Sequence, residues 1–299
     1  MSFYGSIPRK NTDFRNFLQD RRGWMIIIES ISKHFFLITF LIITIIPFLW
    51  TLSSSFKDIT EIVSYPPRFI PNHFTLDNYI RIFSQTGFLR YILNSTIVTF
   101  GTVILTLAAS VTAGYAAARF NFPGKQFIMF FLLSGMAAGR FAIIIPIYFL
   151  SVKLHLYNTY IMLILTYSAF ITPFITWLMQ AYVKTIPPAL EEAAKIDGCT
   201  QWLAFRKIIL PTLKPPIIAG AVIAMVNAWN EPILAVALTK SDSMRTLPVG
   251  LMFYLTEYGV DWGSLTSASI ISILPIIIIF IWFQRYFIQG LTSGTLAGN

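Results

Sequence analysis

An all-α integral membrane protein with six transmembrane helices is the fold class that this sequence predicts. Composition is the first observation behind it. Hydrophobic residues make up 56% of the 299 and charged residues only 12%, where a soluble domain carries about a quarter. The second is the length of the apolar runs. They are long and continuous enough to cross a bilayer as helices, in which every backbone polar group is satisfied within the segment. The third is the basic bias of the polar segments between them, which sorts those segments to two sides. The net charge is +9. In so apolar a chain a basic excess reads as an orientation signal rather than a nucleic-acid site.

Residues 1–33 are polar and basic, with Arg9, Lys10, Arg15, Arg21, Arg22 and Lys33, and read as a cytosolic tail. The membrane region is 34–288. Its first apolar run, Phe35 to Trp50, contains Pro47. No small-residue cleavage site follows, so it reads as an uncleaved span. Ser53 to Arg90 is mixed and proline-rich, an external loop with a short interfacial helix near Asp77-Asn78-Tyr79. The second span is Tyr91 to Ala118. Its small residues Ala108, Ala109, Ser110, Ala113, Gly114, Ala116, Ala117 and Ala118 allow close helix approach where lipid supplies no hydrophobic drive. Arg119 to Lys125 is a basic turn. The third span is Phe127 to Leu150 and the fourth Tyr160 to Val183, with Pro173 inside. The fifth is Pro216 to Leu238 and the sixth Ala268 to Phe287, with a second external loop, Thr239 to Thr266, between them. Residues 289–299 close the chain as a second cytosolic tail.

Six spans put both termini on one side. Fourteen of the 22 Lys and Arg fall on the side of the tails, seven on the other, and Arg140 is left within the membrane. The bias places both termini, and the loop between the fourth and fifth spans, in the cytosol.

That loop, 184–214, is the longest polar interruption in the second half of the chain. Pro188 suits the first turn of a helix, where its missing N–H costs nothing. Glu191 and Glu192 then lie near the helix's positive end, where acids are favoured. Ala193 and Ala194 are small enough for another surface to approach. Asp197-Gly198 stops the helix with a turn. Thr200 can cap a second short helix carrying Trp202, Phe205, Ile208 and Ile209, which Pro211 ends.

The other informative polar residues lie at membrane depth. Asn227, Asn230 and Glu231 are spaced i, i+3, i+4 and so share a helix face. Pro232 should kink or loosen the helix there. Such groups either line a translocation route or pin the fifth span to its neighbours by hydrogen bonds. Arg140, in the third span, either pairs with Glu231 or faces a wet cavity, where its planar fork would suit a carboxylate. Among the motifs sought, no phosphate loop, no H-E-x-x-H and no nucleophile elbow occurs, so ATP should not bind to this chain. Cys199 is the single cysteine, which excludes an internal disulfide, and His34, His73 and His155 are scattered, with no metal-site spacing.

The loop resembles the signature loop of ABC importer membrane subunits, E-A-A, three residues, G, nine residues, I-x-L-P. Here it stands as Glu192-Ala193-Ala194, Gly198, Ile208 and Leu210-Pro211. Further stretches resemble the carbohydrate-uptake, maltose-importer-like branch: Ala116-Ala117-Ala118-Arg119-Phe120 with Phe122-Pro123-Gly124-Lys125, Ile145-Pro146-Ile147-Tyr148, Trp229-Asn230-Glu231, Thr246-Leu247-Pro248, and the closing Gln284 to Gly294. The likeness runs from about Asn78 to Gly298. One departure stands out: where that family has M-x-P in the third span, this chain has Met136-Ala137-Ala138.

The resemblance implies a type I ABC importer permease fold with a cytosolic coupling helix between helices four and five. It implies that Glu191, Glu192, Ala193, Ala194, Asp197, Gly198, Ile208, Leu210 and Pro211 couple to an ATPase. It also implies the partners: a second homologous permease subunit, two ATP-binding-cassette ATPase subunits and an extracytoplasmic sugar-binding protein, in a bacterial plasma (inner) membrane. ATP would be bound by a partner, and no cofactor is expected on this chain. An importer permease for another solute, amino acid or phosphate, is the neighbouring reading. A self-sufficient secondary transporter or an intramembrane enzyme would leave the signature loop unexplained.

Overall fold

The structure is a computed structural model, and it describes residues 21–84, 87–137, 139–256 and 259–295. Of the expected tails, 1–33 and 289–299, residues 1–20 and 296–299 lie outside the described residues, as does Ala138 of the Met136-Ala137-Ala138 departure, and the rest of both tails is helical. Helices dominate: α1 Arg21–Ser55, α2 Ile59–Ile62, α3 Asp77–Ser84, α4 Phe88–Arg119, α5 Lys125–Ala137, a 3₁₀ turn Arg140–Ile143 and α6 Ile144–Lys153. Then come α7 Tyr160–Thr185, α8 Ala189–Ile196, α9 Gln201–Ala204, a π-helical turn Phe205–Ile209 and α10 Leu210–Thr212. The chain continues through α11 Lys214–Trp229, α12 Ile233–Leu238, α13 Leu247–Met252, the hairpin β1 Leu255–Thr256 and β2 Gly259–Val260, and α14 Trp262–Thr295.

Four of these are long and apolar enough to cross a membrane, within α1, α4, α7 and α14. Two bent pairs of helices raise the number to six if each is one span. The first is the expected third span, which is broken rather than continuous: α5 and the Arg140–Lys153 segment meet at 101°. Gly139 there has φ of −59° and ψ of 137°, extended backbone just before the 3₁₀ turn. The second bend, 72°, falls between the 201–212 segment and α11. Pro211 lies in the last turn of the continuous 201–212 helical run, which ends at Thr212, and the chain turns at Leu213, close to where the sequence puts that end.

The expected fifth span is also interrupted. α11 stops at Trp229, Asn230 caps it, and α12 resumes at Ile233 after Pro232. Pro232 has no N–H to continue the ladder, as its place in the sequence predicts. The interfacial helix near Asp77 is present as α3.

The centre of the bundle is the packing of α4 on α7. Only one stripe of α4's small residues serves it. Ser110, Gly114 and Ala117 are buried, whereas Ala108, Ala109 and Ala113 are exposed and face away. Gly114 has a steric reason: a Cβ there would meet Met179 Cβ at 2.6 Å and the backbone of Thr176 and Gln180 at 3.0 Å. The apolar core gathers Val98, Val111, Tyr167, Ile175, Met179, Phe205, Ala228 and Leu234 around that contact, and α11 adds its own apolar side. At the end of the bundle opposite α8, Asn78 Nδ2 donates to the carbonyls of Ser55 and Lys57, tying α3 to the end of α1.

Candidate functional site

Among the described residues, two places that combine exposure, charge and irregular backbone hold the residues singled out by the sequence. The first is the loop between α7 and α11. Pro188 precedes α8, and Glu191 and Glu192 occupy its first turn. Gly198 follows with φ of +84°, a left-handed conformation in which a Cβ is costly. The Thr200 hydroxyl accepts from the Leu203 amide at 3.3 Å and caps α9. The local chemistry thus folds as the spacing predicts: helix, glycine turn, capped helix.

The two neighbouring acids part company. Glu192, Ala193, Asp197, Gly198 and Pro211 are exposed, and Ile208 and Leu210 are half-buried. Ile196 is 87% exposed and Trp202 64%, large apolar groups left uncovered on the same loop. Glu191 turns inward and is 4% exposed, and Ala194 is buried beside it. The Glu191 carboxylate accepts from Arg119 Nε at 2.5 Å, from the Tyr115 hydroxyl at 2.6 Å and from Gln201 Nε2 at 3.1 Å. Gln201 also reaches the Tyr115 hydroxyl. Sequence reasoning left Tyr115 and Gln201 unnamed and put Arg119 in a basic turn. The signal that could have found the pair was the i, i+4 spacing of Tyr115 and Arg119 at the end of α4, on one face beside a loop rich in acids.

The second place is a cavity of about 540 Å³ lined by Met136, Gly139, Arg140, Phe170, Ile171, Phe174, Ile223 and Asn227. Both helix breaks serve it. The break at Gly139 brings Arg140 to its wall, and the break at Asn230–Pro232 frees Glu231 from the helix. Arg140 Nη1 lies 2.6 Å from Glu231 Oε2. Its N–H groups are not aimed along that contact, so it is an ion pair rather than a directed hydrogen bond. Glu231 is held from behind as well: its Oε1 accepts from the Leu234 amide at 3.1 Å, at the start of α12, and its carbonyl accepts from the Tyr167 hydroxyl at 2.9 Å. Asn227 Oδ1 is 3.5 Å from Arg140 Nη2. The shared face predicted for Asn227, Asn230 and Glu231 holds only in part. Asn230 bonds back to the Val226 carbonyl at 3.0 Å and lines neither this cavity nor the void beside it. The helix ends at Trp229, so the i, i+3, i+4 geometry is lost after one turn.

A helical bundle broken at two membrane-depth charges, with a capped helix–turn–helix loop at one end, is the build of a membrane transport component. Residues 109–293 match the family described as binding-protein-dependent transport system inner membrane component. The chain belongs to that family. It is 36% identical over 292 residues to a probable ABC transporter permease protein of Bacillus subtilis, YurM, covering 98% of this chain and 95% of that one. It is 34% identical over 265 residues to the diacetylchitobiose uptake system permease protein NgcG of Streptomyces coelicolor, covering 88% and 87%. Among solved structures, a chain of a bacterial ABC transporter involved in the import of the acidic polysaccharide alginate superposes with a TM-score of 0.76 at 21% identity, over 87% of this chain and 96% of that one.

Proposed function

We propose that this chain is the membrane subunit of an ABC importer that carries a sugar or oligosaccharide across the bacterial inner membrane by alternating access. Its energy comes from ATP hydrolysed on separate subunits. The observation that carries the reading is the loop geometry: α8 offers Glu192, Ala193 and Ile196 outward while Glu191 anchors it from inside. That is the form a docking helix needs, with a rigid root and an uncovered tip. The sugar reading draws on the diacetylchitobiose uptake relative and on the carbohydrate-branch stretches of the sequence.

In this reading α1, α4, α5 with α6, α7, α11 with α12, and α14 make six spans over 34–288, and α8 is the coupling helix between the fourth and fifth. Both termini and the tails 1–33 and 289–299 are cytosolic. The partners are a second homologous permease, two ATPase subunits and an external sugar-binding protein. Arg140, Asn227 and Glu231 border the substrate path, and Asn230 stands outside it.

Co-purification from native membranes tests the assembly: an ATPase and a second, different permease should come out with the chain. Uptake of labelled diacetylchitobiose and maltotriose by the reconstituted complex tests the solute, and uptake of an amino acid or phosphate instead would overturn the sugar reading. A reporter fused after Asn299 that is active only outside the cytosol would refute the orientation.

A further inference from the structure

We propose that Tyr115 and Arg119 of α4 form, with Glu191 and Gln201 of the loop, a latch that passes movement of α8 into the α4–α7 pair, which makes them positioning residues of the transport cycle. The inference rests on the proposed function and concerns the route by which the loop acts on the cavity.

Four observations support it. First, the Glu191 carboxylate takes three donors from two elements, at 2.5, 2.6 and 3.1 Å. Arg119 also donates through Nη2 to the Ile186 carbonyl at 2.7 Å, in the short link between α7 and α8. One guanidinium therefore holds both the root of the loop and its first helix. Second, the Arg119 and Glu191 side chains are only 11% and 5% exposed. Water screens such a pair little, so it resists being pulled apart. The Tyr115 ring is packed against Phe205 at 4.6 Å between centroids, which secures the far side of the loop to the same point.

Third, α4 cannot slide freely on α7 at this level. Gly114 sits against Met179 and the α7 backbone with no room for a Cβ, and Gln180 Nε2 donates to the Ala117 carbonyl at 3.2 Å. The loop helix and the adjoining ends of α4 and α7 thus move as one body. Fourth, the other exit from the loop is less direct. It runs through the π turn Phe205–Ile209 and a 72° bend before α11 begins, and such irregular turns are where helices yield. A push on α8 consequently reaches α4 and α7 directly, and α7 carries Phe170, Ile171 and Phe174 of the cavity wall.

The two acids of the loop then have separate tasks. Glu192 faces outward to the partner, and Glu191 faces inward to the latch. A purely architectural role for the cluster would hold the loop in shape without making the cavity answer to nucleotide.

The test uses the whole importer, with its ATPase, in lipid nanodiscs. Cys199 is the chain's only cysteine, so a Cys199→Ser background carrying Ile223→Cys gives one reporter thiol on this chain, in the cavity wall. Maleimide labelling of that thiol is followed with and without ATP and orthovanadate. Tyr115→Phe removes one hydroxyl. Arg119→Gln removes the charge but keeps an amide donor. Both changes lie on α4, away from the docking tip. Nucleotide-dependent labelling should fall by about tenfold in Arg119→Gln and by less in Tyr115→Phe, within the range of site-to-site coupling energies. ATPase activity should stay within about twofold of the parent in Tyr115→Phe, which keeps the ion pair, whereas Arg119→Gln leaves Glu191 charged in a buried site and its labelling is read per assembled complex. An undiminished labelling response overturns the latch. So does a loss of response matched by equal losses of ATPase activity and assembly in both variants, which is the mark of a structural role. A parent with no nucleotide response removes the proposed function, and this inference with it.

Discussion

Two Arg–Glu pairs stand at different heights in this bundle, and they are built differently. At the loop end, Glu191 is buried and Arg119 nearly so, and both carboxylate oxygens are engaged, by Arg119, Tyr115 and Gln201. At the cavity, Glu231 is buried at 3% but Arg140 is 37% exposed, with Asn227 at 3.5 Å as its next neighbour. The chemistry is the same and the surroundings are not. A pair enclosed and bonded on both sides resists rearrangement. A pair with one partner open to a cavity can exchange its contacts at small cost. The first arrangement suits force transmission, and the second suits a surface that a passing solute touches.

Removing a charge from the closed pair should have the largest effect. Arg119→Leu leaves Glu191 charged and buried, and the loss should be about 3 kcal/mol or more, as for other broken buried pairs. It reads as a lower Tm of the detergent-purified subunit. Arg119→Leu with Glu191→Leu should recover much of that loss, and a double mutant as unstable as the sum of the singles would sink the comparison.

The open pair should respond asymmetrically. Arg140→Leu orphans the buried Glu231 carboxylate and should cost about 2 kcal/mol, whereas Glu231→Leu leaves Arg140 facing the cavity and should cost about 1 kcal/mol. A double-mutant cycle scored for assembly and for uptake separates pairing from solute contact. Equal single losses would mean that the cavity does not hydrate Arg140. Uptake unchanged in Arg140→Leu would remove that residue from the substrate path.

A smaller effect is expected at Gly198, which joins the two loop helices. No atom lies within 4 Å of the position of a Cβ there, so Gly198→Asp meets only backbone strain at φ of +84°. That strain is about 1 kcal/mol. Membrane insertion should stay intact while transport and retention of the ATPase fall. Wild-type transport with full ATPase retention would take the coupling role away from the turn.

The smallest effect concerns pH at the end opposite α8. Burial among Ile82, Phe88, Trp229 and Leu247 pushes the Tyr254 hydroxyl up from 10.0 to about 12. A raised folded value means that its contribution to stability is fully present below pH 10.0 and is lost as pH climbs toward about 12. The high-pH phenolate absorbance should lose one late-titrating tyrosine in Tyr254→Phe.

Much of this was legible in the residues alone. Helical class, the long apolar stretches and the helix–turn–helix of the loop rest on short-range causes: hydropathy over a span, Pro188 at a helix start, Gly198 at a turn, Thr200 at a cap. Such causes act between neighbours in the chain, so spacing reports them. The break after Trp229 was legible in Pro232 for the same reason. The break at Gly139 was not, because its backbone angles are open to any residue and nothing in the local sequence demands it. Which of α4's small residues face α7, that Asn230 leaves the face of Asn227, that Glu191 points inward while Glu192 points out, and that Arg119 lies over a loop 72 residues further along the chain were decided by tertiary packing. A charge finds its partner through space: residue types and spacing can name candidates, as they name Glu231 for Arg140, but which contact closes is decided by the pocket the helices form around it.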